Sequence, residues 1–92
     1  DGKFVRLPFP PLSEERRKNL ADQLKSLAED TKIAIRNIRR DSNKEIDKEV
    51  KDSTISEDDG HRSKENIQKL TKDYENQIDE TLESKVKEIM EV

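Results

Sequence analysis

Ninety-two residues allow one domain at most, and a 28% hydrophobic fraction with only Phe4, Phe9 and Tyr74 as aromatics excludes a roomy enclosed active site. Charged residues make up 45% of the chain at a net charge of −3. Mixed sign and periodic apolar residues point to long, surface-rich helices rather than disorder. Without cysteine there is no disulfide framework, thiolate metal site or cysteine nucleophile, which suits a reducing cytosol. No run approaches the ~18 apolar residues that span a bilayer, and the N-terminus lacks a signal-peptide stretch. A start at Asp1 instead of methionine suggests a processed or truncated product.

In chain order, the first segment is residues 1–12. The alternation Lys3-Phe4-Val5-Arg6-Leu7 predicts a short strand end, and Pro8, Pro10 and Pro11 force an extended exit because each disfavours helix in the residue before it. Ser13 then opens a stretch free of Gly and Pro as far as Lys51, with Glu14 and Glu15 in the first turn, where the helix dipole favours negative charge. This predicts a helix over 13–51 capped by Ser13. Asp52-Ser53-Thr54-Ile55 is a short polar break. Ser56-Glu57-Asp58-Asp59 has the form of a capping box with Asp in the third position, predicting a second helix over 57–91. Gly60 falls in its first turn, where it costs about 1 kcal/mol relative to alanine without forcing a break.

Helices of this size are roughly 50–60 Å long, and a short connection makes them antiparallel neighbours. The expected fold is therefore all-α, an elongated helical hairpin. Core positions read Leu20, Leu24, Leu27, Thr31, Ile35, Ile38, Ser42, Ile46 and Val50 in the first helix. In the second they read Ile67, Leu70, Tyr74, Ile78, Leu82, Val86 and Ile89. Neither stripe keeps a strict heptad. Ile33 lies nearly opposite the first stripe, as a tolerated exposed residue or as a contact for a third helix. A two-helix hairpin of this composition is marginal alone, which favours some further partner.

Lys32, Arg36, Arg39 and Arg40 are the most informative residues. No acidic residue occurs between Asp30 and Asp41, so ten positions carry four positive charges in a chain that is otherwise acidic. On a helical wheel the four occupy a sector of about 100°, centred roughly 120° from the apolar stripe. Arginine's planar fork can hold a phosphate bidentately or stack on a base, which suits RNA. The plainer alternative is a solvated face, partly neutralised by neighbours such as Asp41. Residues 57–92 hold eleven acidic and six basic groups without a comparable single-sign cluster, so any nucleic-acid contact is expected to be one-sided. Arg16-Arg17-Lys18 forms a second basic group at a helix start, against the dipole, either functional or simply offset by Glu14 and Glu15.

Other motifs carry less. His61 beside Glu57, Asp58 and Asp59 lacks a second imidazole or thiolate, so capping explains it better than a metal. A calcium loop fails because Ile55 and Asn66 would fill ligand positions that need carboxylates. Pro8-Phe9-Pro10-Pro11 contains a P-x-x-P, but its flanks lack a basic anchor. No Gly-rich phosphate loop occurs, and no nucleophile lies beside a base, so neither an enzyme nor a cofactor is expected.

Several segments resemble one family. Leu7 to Lys18, Ile35-Arg36-Asn37-Ile38-Arg39-Arg40-Asp41, Ile55-Ser56-Glu57-Asp58-Asp59, Gln68-Lys69-Leu70-Thr71 and Glu88-Ile89-Met90 are similar to ribosome recycling factors, in order and over almost the whole chain. The resemblance implies a three-helix bundle with a β-rich domain inserted between its first and second helices. Residues 13–92 would supply helices two and three, and residues 1–12 the last strand and an interdomain hinge at Leu7, Pro8, Pro10 and Pro11. The first helix and most of the inserted domain would be missing. It also implies a non-enzymatic translation factor, cytoplasmic in bacteria or resident in an organelle. Such a factor splits ribosomal subunits after termination together with elongation factor G. Arg36, Arg39 and Arg40 would then face large-subunit rRNA, Arg39 foremost, with Lys32 beside them and Arg17 as a second contact. A generic helical scaffold that docks another helix in its apolar groove is the alternative.

Overall fold

A computed structural model describes residues 13–91. Two helices fill them, α1 over Glu14–Lys51 and α2 over Glu57–Met90, packed as an antiparallel all-α hairpin. The hinge positions Leu7, Pro8, Pro10 and Pro11, and the strand end before them, lie outside the described residues.

Both helices start where a serine can satisfy an orphan amide. The Ser13 Oγ accepts from the Arg16 amide at 3.0 Å and the Ser56 Oγ from the Asp59 amide at 3.0 Å. Acidic side chains fill both first turns, and Lys48 and Lys51 fill the last turn of α1, each sign matched to the local dipole. The connection is a tight reversal in which the Ser53 amide reaches the Val50 carbonyl and the Thr54 amide reaches that of Glu49. This Schellman arrangement requires a left-handed residue, and Ser53 takes it at φ 62° without being glycine. It accordingly stores about 1 kcal/mol of strain.

The seam between the helices differs from the expected stripe. Its buried positions are Ala21, Ala28 and Ile46 on α1 and Gly60 and Thr71 on α2. Leu27 (61% exposed), Ile38 (65%), Leu70 and Tyr74, all expected in the core, stand open to solvent. Small side chains allow the axes to approach closely, so the contact rotates off the stripe's centre onto the alanines, the glycine and the threonine. The approach is tight at Gly60, where an added Cβ would lie 2.5 Å from Val50 Cγ2. Thr71 hides its hydroxyl by donating to the Ile67 carbonyl at 2.8 Å. The displaced large residues line a continuous apolar groove along one side of the hairpin, with Leu24, Leu27 and Ile38 on one wall and Leu70 and Tyr74 on the other. Ile33 is also exposed but points elsewhere, so it is no part of this groove.

Candidate nucleic-acid interface

The basic run of α1 occupies the flank of the hairpin away from the groove, except that Arg39, half-buried at the seam, also lines the groove beside Ile38 and Thr71. A helix brings residues three and four apart onto one flank, so Lys32, Arg36, Arg39 and Arg40 share it without a break in the ladder. The antiparallel partner carries Gln68, Glu75 and Asp79 on its facing flank, spaced by seven and four.

Three of the four bases cross to that flank, Lys32 and Arg36 in register and Arg39 reaching about one turn farther along α2. Lys32 Nζ lies 2.5 Å from Asp79 Oδ1, with its side chain only 16% exposed. Arg36 donates from Nε at 2.8 Å and places Nη2 at 2.6 Å from the same oxygen, Glu75 Oε2. Arg39 Nη1 donates to the neutral Gln68 Oε1 at 3.3 Å. Farther along, Lys64 of α2 pairs with Asp47 of α1, reversing the polarity. Arg40 stays on its own helix, with Nη1 donating to Asn37 Oδ1 at 3.3 Å, and meets no carboxylate among the described residues.

The anticipated neutralisation by Asp41 is thus replaced by neutralisation from across the seam. Lys32 is largely covered by Asp79 and does not present a free ammonium. The hydrogen-bonded Asp79 carboxylate holds the Lys32 pKa above its ordinary value of 10.5, against the opposing effect of partial burial. Arg36 keeps a two-sided role: one edge of its guanidinium serves Glu75, and the side chain is still 44% exposed. Arg39 and Arg40 carry charge that no carboxylate offsets among the described residues.

Arg17 lies in the first turn of α1, half-buried, and is not brought to this edge. His61 pairs with Glu65 one turn on at 2.9 Å, and no group of three or more metal-binding side chains forms among the described residues. No helix among them is long and apolar enough to cross a membrane.

Glu75, Asp79 and Gln68 were not singled out by composition. Their signal is the shared flank at spacings of seven and four, and it becomes visible only once the antiparallel register is known.

A family model described as "Ribosome recycling factor" matches residues 1–90. The chain belongs to the ribosome recycling factor family. A ribosome-recycling factor of Halalkalibacterium halodurans is 51% identical over 92 residues, covering all of this chain and 50% of that protein. Those of Myxococcus xanthus and Rickettsia bellii are 50% and 49% identical over the same span. The chain spans about half the length of the curated relatives it matches. In this chain Arg36 and Arg39 of the Ile35 to Asp41 segment reach across to α2, while Ile35 and Ile38 of the same segment line the open groove with Leu27, Leu70 and Tyr74.

Proposed function

We propose that this chain is the ribosome-binding helical part of a recycling factor, which meets large-subunit rRNA along the edge formed by Arg39, Arg40 and Arg36. The supporting observation is the pair of arginines at 39 and 40, uncompensated by any carboxylate among the described residues. A phosphate backbone would take their forks bidentately, and affinity would fall as salt rises because bound counterions are released. Lys32 supports this edge from beneath Asp79, and Arg17 would be a separate contact nearer the start of α1.

The rest of the reading follows from family membership. The factor acts after termination with elongation factor G, without chemistry of its own, in the bacterial cytoplasm or in an organelle. Leu7, Pro8, Pro10 and Pro11 serve as the interdomain hinge. The apolar groove receives a further helix of the same factor, completing a three-helix bundle. That assignment is favoured by the exposure of Leu27, Ile38, Leu70 and Tyr74, side chains large enough to cost solubility if left open.

The test is ribosome binding by the complete polypeptide and its Arg39→Glu variant at several salt concentrations. The reading expects weaker binding and a shallower salt dependence for the variant. Equal affinity and equal slope would overturn it. A scaffold that works through its groove predicts the reverse, with Leu27→Asp abolishing partner binding and Arg39→Glu leaving it intact.

A further inference from the structure

The facing flank of α2 grades the charge of the basic edge. Asp79 covers Lys32 at 2.5 Å and Glu75 takes two donors of Arg36, but the next partner in the series, Gln68, is an uncharged amide. Replacing a carboxylate by a carboxamide of the same shape keeps the hydrogen bond and removes the counter-charge. Two bases are thereby occupied by resident anions that a phosphate would have to displace. Arg39 is oriented by an acceptor that costs it nothing in charge, and Arg40 beside it meets no carboxylate among the described residues.

The geometry points to Gln68, Glu75 and Asp79 as specificity-determining residues that confine RNA phosphate binding to the Arg39–Arg40 end of the edge. An extended polyanion laid along α1 would meet bound carboxylates over its Lys32–Arg36 half and gain little there. A ligand that presents phosphates at the Arg39 end alone gains the full charge. The device discriminates a shaped rRNA backbone from unstructured RNA, which offers a continuous row of phosphates. It rests on the proposed rRNA contact and adds a role for three side chains of the other helix.

The experiment uses the complete polypeptide and two probes, purified large ribosomal subunits and a labelled poly(U) 30-mer, titrated over a range of salt. Gln68→Glu places a carboxylate against Arg39. It is expected to weaken large-subunit binding roughly three- to tenfold and to lower the salt slope by about one ion. Gln68→Ala, which removes the orienting amide but adds no charge, stays within about twofold of wild type. Glu75→Gln with Asp79→Asn is expected to do the opposite on poly(U), raising its affinity severalfold and steepening its salt slope by one to two ions, about one per freed base.

Gain of binding on neutralising two cross-helix counter-charges is opposite in sign to the loss that weakening a merely structural contact would give. Far-ultraviolet circular dichroism of every variant confirms that the helices persist. If Gln68→Glu binds large subunits as wild type does, or if the Glu75→Gln/Asp79→Asn pair fails to raise poly(U) affinity, the inference is overturned. Should Arg39→Glu itself leave ribosome binding unchanged, the underlying contact fails instead, so the two failures are distinguishable.

Discussion

Gly60→Ala pits two magnitudes of opposite sign against each other at one position. Alanine in place of a helical glycine gains at most about 1 kcal/mol, and somewhat less in the first turn. At this site, however, the new Cβ would lie 2.5 Å from Val50 Cγ2, while its distances to Ile46 and Ile55 would be ordinary at 3.5 and 3.8 Å. Val50 is β-branched and held in essentially one rotamer within α1, so it cannot swing aside and the helices must part. Overpacking of this kind costs about 1–3 kcal/mol. The expected balance is a loss of about 1 kcal/mol, or roughly 2–4 °C in Tm for a protein of the relatives' size. Urea unfolding of the complete polypeptide, followed at 222 nm, measures it. In a Val50→Ala background the obstruction is gone, and Gly60→Ala should then become neutral or stabilising, a coupling of about 1–2 kcal/mol. A stabilised single variant, or additive effects in the pair, would refute the close-approach reasoning.

Other consequences follow from the same packing. Ser53→Gly relieves a left-handed serine at φ 62° and should raise stability by about 0.5–1 kcal/mol in the same unfolding assay. Because Asp79 holds the Lys32 pKa above 10.5, the contribution of that pair is complete below this value and fades as pH climbs through the folded-state pKa. Melting temperatures recorded against pH should therefore lose an alkaline component in Lys32→Met and show no change of shape near neutrality. Leu27 is 61% exposed in the hairpin, so Leu27→Asp should matter only where another helix covers the groove. In the complete polypeptide a loss of about 2–4 kcal/mol is expected on unfolding, and an effect near zero would mean that the groove stays open.

Much of the fold was legible because its signals are local. Ser13 and Ser56 announce their helices through cap chemistry, and periods of three and four mark one apolar side on each. The rotation of that side was not legible. A wheel locates the apolar stripe but not the line within it where two helices touch, and that line was drawn by Ala21, Ala28, Gly60 and Thr71, residues without a strong hydrophobic signature. Hence Leu27, Ile38, Leu70 and Tyr74 were placed in a core that they border. The candidate edge was half legible. The run from Lys32 to Arg40 shows directly in the sequence, whereas its neutralisation by Asp79 and Glu75 depends on the register between positions some forty residues apart. Along one helix, Asp41 was the nearest visible counter-charge. Across the seam, two carboxylates had better geometry.

The claim that the Arg39–Arg40 edge lies against large-subunit rRNA is tested most directly by tethered hydroxyl-radical cleavage. These 92 residues contain no cysteine, so in a complete polypeptide cleared of any other cysteine an iron chelate can be attached to a single introduced one. Ile33→Cys suits this, being exposed beside Arg36 and Arg40 on α1, with Glu80→Cys on the outward side of α2 as the comparison. Strong cuts in large-subunit rRNA from position 33, and weak or none from position 80, are the predicted result. Cuts confined to small-subunit rRNA, or stronger cleavage from position 80 than from position 33, would contradict the account.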